Sequence, residues 1–292
     1  MKSSGLLVFA ILALKEVNAF WGTPHVLVAR HAQELLEAED PVAYQAVLDE
    51  LAPLKADYPD LTYAEGEHPM TESATFADNI KALGYTWQNS WHFSNRPYYD
   101  QGNGDFPFIE PEYDIIGALN TLSDWLGNKG TAYESSYYYQ TIVSAFFNMD
   151  DARSFALRLI IHYVGDIHQP LHSTALVDDN YPYGDAGGNK IPIPNICGAS
   201  NLHAVWDSLA YVYCAEPNLP ANDADWEYYT TLAKDMAVAY PIDPTQIYTY
   251  DFTKWADISY NFAVSEVYPS KFHPCNEFVQ LWFPTKSSPA PT

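Results

Sequence analysis

Apolar side chains recur at helical spacing along most of this 292-residue chain, while the period-two alternation of a half-buried strand is scarce. In His25–Leu36 the set Val26, Val28, Ala29, Ala32, Leu35 and Leu36 falls at helical spacing. Asp40-Pro41 opens a second helix through Leu54, because a first turn needs no N–H from proline. The same periodicity predicts helices over Ala74–Leu83, Glu112–Leu126, Ser135–Phe147, Ala152–Ile167, Leu202–Tyr213, Asp225–Tyr240 and Phe252–Val267. The expected fold is all-α, a single mainly helical domain without internal repeats. Residues 94–110 and 177–200 are rich in Gly, Pro, Asp, Asn and aromatics and read as long loops, which in a helical domain are more often functional than idle.

The N-terminal stretch reads as a targeting segment. Lys2, the apolar run Gly5–Leu14 and Val17-Asn18-Ala19 form the pattern of a secretory signal peptide over residues 1–20. The apolar run falls short of the roughly 18 residues that a membrane span requires, so no membrane insertion is expected. The folded domain is then residues 21–283, followed by a frayed tail over 284–292. The expected location is secreted or lumenal within the secretory pathway, lysosome and vacuole included. Export permits disulfides, and Cys197, Cys214 and Cys275 allow one bridge whose partners the sequence leaves open. Three cysteines cannot build a Cys-based zinc module. Metal chemistry here must therefore use histidine and carboxylate.

Charge narrows the partners. The chain has 14 basic against 37 acidic residues, a formal charge of −23. That excludes a binder with a broad basic face, and an anionic substrate would need positive charge from another source.

The densest cluster of chemistry is His162-Tyr-Val-Gly-Asp166-Ile-His168-Gln-Pro-Leu-His172. Four residues along a helix rotate a side chain by only about 40°, so His162 and Asp166 share a face. Pro170 then ends the helix and lets His172 swing in. His203 and Asp207 repeat the spacing on a later helix. One such pair is more often a surface contact than a ligand set; two, with an added histidine, are a plausible zinc site. His31, His68 and His273 read as structural, and His168 points away from the His162/Asp166 face.

At these residues the sequence resembles a known family. HYVGDIHQPLH, then Asp185-Ala-Gly-Gly-Asn189 and NLHAVWD, are similar to the zinc-dependent single-strand nucleases of fungi and the bifunctional nucleases of plants, the S-one/P-one type. The resemblance runs from Trp21 to the region near Tyr268. It implies a helical fold of the zinc phospholipase C and P-one nuclease type, with long loops around a cleft holding three Zn2+ ions. Carried over by position, it makes Trp21, released as the terminal residue, and His25 ligands. Asp78, in Thr75-Phe-Ala-Asp78-Asn-Ile-Lys81, becomes a ligand, and Lys81 the basic residue near the scissile phosphate. His92 is a ligand and Phe93 the ring that stacks on a base. His162 and Asp166 complete a two-metal pair bridged by Asp166, and His172, His203 and Asp207 hold the third zinc. Asn95 and Asn189 fall at substrate-binding positions. Asn95 stands where many members have aspartate, so base preference is expected to differ from the fungal enzymes.

The resemblance also implies the reaction. The excess of zinc charge over Asp78, Asp166 and Asp207 supplies the missing positive charge. Hydrolysis of single-stranded RNA and DNA to 5′-nucleotides, by attack of a metal-bridging hydroxide, is the expected activity, with 3′-nucleotidase action on 3′-nucleotides alongside. Asp78, Lys81 and Asp166 are the expected catalytic residues. The alternatives are a zinc phospholipase C, which usually carries glutamate where Asp207 stands, and a non-catalytic secreted zinc-binding protein, which would need neither Lys81 nor Phe93. No obligate protein partner is indicated.

Overall fold

The computed structural model describes residues 20–100, 105–239 and 250–270. The readings for the signal peptide, the C-terminal tail, Cys275 and His273 lie outside the described residues.

Asp and Asn caps start five of the described helices. Asp40 accepts from Ala43 N at 2.9 Å and opens Pro41–Asp57. Asp114 accepts from Gly117 N at 2.8 Å ahead of Ile115–Leu126. Asn148 caps Met149–Asp166, Asn201 caps Leu202–Asp207, and Asp251 caps Phe252–Phe262. Each cap satisfies a backbone donor that the first helical turn leaves open, contributing about 1 kcal/mol.

The helix Met149–Asp166 is the axis of the fold and is buried on two faces. On one, Ala152, Phe155, Ala156, Leu159 and Tyr163 pack with Phe76, Ile80, Trp91, Leu119 and Leu122 into the main apolar core. On the other, Ser154, Arg158, His162 and Asp166 follow at intervals of four, each fully buried. Arg158 sends Nε and Nη2 to the two oxygens of Glu65, both at 2.7 Å, and Nη2 also to Leu51 O at 2.9 Å. That two-pronged pair neutralises the buried guanidinium and ties the axis to Pro41–Asp57. The lower half of the same stripe, His162 and Asp166, is left for the site.

The helices follow the expected pattern with shifted ends: Gly22–Glu39 encloses its predicted span, Tyr137–Ala145 trims it, and Asp223–Ala239 starts before Asp225, while Tyr240 lies outside the described residues. Three departures have physical reasons. Ala74–Leu83 is not one helix but a chain of short turns, Ser73–Thr75, Phe76–Asn79 and Ile80–Leu83, which bends around the axis and brings Asp78 inward. Leu202–Tyr213 stops at Asp207, because Leu209, Ala210 and Tyr211 take left-handed φ of 48°, 54° and 70°. This turn brings Cys214 back to Cys197 in a disulfide, with the Cα atoms 5.4 Å apart, which settles the open pairing. Beyond Phe262 the last helix widens into a π turn over Ala263–Val267.

Strands lie in and beside the two predicted loops. β1 (Arg96–Tyr99) pairs in parallel with β2 (Thr174–Val177), in register Arg96 with Thr174 and Tyr99 with Val177. β3 (Pro192–Ile196) pairs antiparallel with β4 (Ala199–Asn201), ending at the Asn201 cap. β2 is buried along its whole length, so it has no alternating pattern to read. Among the described residues no helix is long and apolar enough to cross a membrane.

Candidate metal centre

Six segments between Gly22 and Asp207 deliver ligand-type side chains to one place. His25 comes from Gly22–Glu39, Asp78 from the turn Phe76–Asn79, and His92 from the end of the 3-10 helix Thr86–His92. His162 and Asp166 come from the axis helix, His172 from the turn Pro170–His172, and His203 and Asp207 from Leu202–Asp207. They form three groups: His25, Asp78 and His162; His92, His162 and Asp166; His172, His203 and Asp207. Within each group the ligand atoms lie within 4.8 Å of one another. His162 is shared by the first two groups, and Asp166 Oδ1 lies 3.6 Å from His172 Nδ1 of the third.

The histidine tautomers are set from behind. His162 Nδ1 donates to Ala74 O at 2.7 Å, His172 Nδ1 to His92 O at 2.9 Å, and His203 Nδ1 to Gly187 O at 2.6 Å. A carbonyl can only accept, so these rings carry hydrogen at Nδ1 and face the centre with a bare Nε2. His92 is reversed. Its Nε2 faces Gln88 Oε1 at 2.7 Å, leaving Nδ1 toward Asp166 Oδ2 at 2.8 Å and His162 Nε2 at 3.2 Å. His25 stacks on His162, centroids 3.9 Å apart, with Nε2 at 3.2 Å from Asp166 Oδ1.

At His92, His172 and His203 lone pairs therefore face the centre, whereas at His162 burial is outweighed by the Asp166 and Asp78 carboxylates, which raise its pKa. Burial first, then the neighbouring Lys81 ammonium, pull the His92 imidazole down to about 4, and burial pulls His203 down to about 4. Both rings are neutral near pH 7. Both nitrogens of His25, Asp166 Oδ1, His172 Nε2 and His203 Nε2 are buried without a hydrogen-bond partner. Burial pushes the Asp207 carboxyl well above its usual range, and the Gln169 amide at 2.7 Å only partly offsets this, so an ionised Asp207 calls for a cation. Asp166 is held well below that range: burial opposes its charge, but His162, His172 and His92 surround it. Imidazole nitrogens and carboxylate oxygens gathered in threes, with several of them buried and unpartnered, fit divalent transition metals.

Around this core, Lys81 Nζ reaches Asp78 Oδ1 at 2.6 Å and is itself buried. The half-buried Phe93 ring lies 4.5 Å from that of His172 and 6.1 Å from that of His203. Ser94 N and Asn95 N both donate to His172 O, at 2.8 and 3.2 Å, which locks Phe93 and Asn95 beside the third group. Asn189 turns its Nδ2 back to Ala186 O at 2.9 Å and closes its own loop. Trp21 N donates to Asp207 O at 3.0 Å, which places this backbone at the third group. His168 packs at 5.1 Å from Trp255 and His68 stacks on Trp226 at 3.4 Å; neither joins the three groups.

Sequence reasoning missed three contributors. Gln88 and Gln169 orient His92 and Asp207, and Gly165 lets the first helix approach the axis; a Cβ there would lie 2.5 Å from His25 Nδ1. Gln169 sits inside the HQPLH motif and could have been flagged there. Gln88 and Gly165 carry no local signal of what they face.

The profile of the S1/P1 Nuclease family matches residues 20–282. Endonuclease 3 of Arabidopsis thaliana is 29% identical over 191 residues, covering 65% of this chain and about half, 54%, of that protein. Endonuclease 2 of the same plant is 24% identical over 268 residues, covering 90% of this chain and 77% of that protein. Nuclease S1 of Aspergillus oryzae is 27% identical over 230 residues, covering 78% of this chain and 64% of that protein. The family match takes in all six segments that build the centre, and this chain is a member of the S1/P1 Nuclease family.

Proposed function

We propose that this chain is an exported, zinc-dependent phosphodiesterase that cuts single-stranded RNA and DNA to 5′-nucleotides and also dephosphorylates 3′-nucleotides. The observation that carries the reading is the set of three ligand groups, in which both His25 nitrogens, Asp166 Oδ1, His172 Nε2 and His203 Nε2 are buried without a hydrogen-bond partner. Three zinc ions fit that donor set, and when bound such ions polarise a phosphoryl oxygen and lower the pKa of water toward neutrality.

The chain's own side chains do the rest. His25, Asp78, His92, His162, Asp166, His172, His203 and Asp207 hold the ions, joined by the Trp21 amine once residues 1–20 are removed. Lys81, fixed by Asp78, donates to a non-bridging phosphate oxygen. Phe93 offers its ring to an unstacked base, a contact worth roughly 1–3 kcal/mol that a duplex cannot make. Asn95 supplies donor and acceptor to the base edge, and Asn189 lies in the loop that carries the His203 support. The acidic surface makes non-specific binding through counterion release weak, so capture depends on the centre itself.

Purified secreted protein should degrade single-stranded RNA or DNA, and a chelator or His162→Ala should abolish this while phosphatidylcholine stays intact. Full nucleolysis after zinc removal verified by metal analysis would overturn the reading. Phosphatidylcholine cleavage without nucleolysis would replace it with a phospholipase.

A further inference from the structure

We propose that the cavity beside Asp78 is a nucleoside subsite, taking the sugar and base attached to the scissile phosphate on the side away from Phe93. The cavity measures about 320 Å³, enough for a small ligand, and it reaches Asp78. Whatever occupies it therefore abuts the first ligand group, whereas Phe93 packs against His172 and His203 of the third. Two binding places thus flank one phosphate position.

The lining selects the ligand. Tyr63, 55% exposed, borders the cavity and supplies an aromatic side chain on which a base can stack. Leu219 adds an apolar edge. The polar side chains are the Glu216 carboxylate, of which one oxygen receives Gly22 N at 3.1 Å, Asp78 itself, and Thr75 with Asn79, whose Nδ2 donates to the Thr75 hydroxyl at 2.9 Å. Among the described residues that line it none is basic. Asp78 is already paired with Lys81 at 2.6 Å, so Glu216 is the carboxylate left to turn away a phosphate and to accept N–H and O–H donors, which a ribose and a base edge provide. The phosphate is left to Lys81 and the ligand groups. A substrate with a nucleoside on both sides of the phosphate can use both places; a 3′-nucleotide can use only one.

The subsite rests on the hydrolytic reading above, and one experiment separates the two. KM is measured for the dinucleotide ApA and for 3′-AMP with the metal-loaded protein, its Tyr63→Ala variant and its Tyr63→Phe variant. Loss of one stacked base predicts that Tyr63→Ala raises KM for ApA roughly 10-fold more than KM for 3′-AMP, with Tyr63→Phe within about twofold of the parent. Equal effects on the two substrates, or none, overturn the subsite. If the parent hydrolyses neither substrate, the hydrolytic reading fails, and NMR titration with adenosine decides the subsite. Perturbed Tyr63 ring resonances then support it, and their absence overturns it.

Discussion

Gln88 Oε1 receives the Nε2–H of His92 at 2.7 Å, and this contact decides which nitrogen His92 turns to the metal centre. The amide cannot flip. Its Nε2 donates to Ala77 O at 2.8 Å, a carbonyl that can only accept, and its Oε1 also takes the Tyr163 hydroxyl at 2.7 Å. His92 thus presents Nδ1, while His162, His172 and His203 present Nε2.

Replacing Gln88 by leucine keeps most of the volume and removes the acceptor. We expect metal affinity to fall roughly 10–100-fold, the usual effect of losing a group that orients a ligand histidine. Competition with a coloured chelator measures it, with circular dichroism confirming the fold. Unchanged affinity would show that packing alone holds the ring.

Gly165 lies where the first helix crosses the axis, and the 2.5 Å approach of a Cβ to His25 Nδ1 leaves no room for alanine without moving that ring. In an exposed helix the same change would add about 1 kcal/mol of stability. Here Gly165→Ala should lower the metal bound per chain, read by elemental analysis after desalting. Full stoichiometry would mean that the first helix shifts aside.

Asp185 accepts from Leu176 N and Gly188 N, each at 2.8 Å, and from Tyr268 Oη at 3.1 Å, yet burial outweighs these bonds and pushes its carboxyl from 3.8 up to about 6. The folded state thus favours the neutral acid. Its contribution is full below pH 3.8 and is lost as pH rises through about 6, a difference of roughly 3 kcal/mol. Asp185→Asn should therefore become more stable relative to the parent as pH rises from 4 to 7, in urea melts of chelated protein. Carboxylates with depressed values, such as Asp166, titrate alike in both proteins and drop out of the comparison. Parallel stability curves would show that Asp185 stays ionised across the range.

The Cys197–Cys214 bridge, with a sequence separation of 17, closes the loop that carries His203 and Asp207. Loop-closure entropy for such a ring is about 3 kcal/mol. Reduction, or a Cys197→Ser/Cys214→Ser variant, should lower unfolding free energy by about that amount and selectively weaken the third group, measured by denaturant melts and metal titration. A loss of stability with full metal retention would confine the bridge to a structural role.

Periodicity and the two His/Asp pairs were legible in the sequence because each is a property of one helix. Residues four apart share a face whatever surrounds them, so His162 with Asp166 and His203 with Asp207 could be paired before any tertiary contact was known. The motif resemblance extended this to His25, Asp78, His92 and His172. Tertiary structure alone decided the rest. His92 meets Asp166 across 74 residues of sequence, Arg158 meets Glu65 across 93, and Gln88 meets Tyr163 across 75. No local pattern records such partners. The short strands in and beside the two loops, the choice of Cys214 for Cys197 and the cavity under Tyr63 belong to the same class, since each exists only where separate segments pack. The sequence by itself determined which side chains can share a helix face; packing determined which faces meet, and with them the tautomers and charges of the centre.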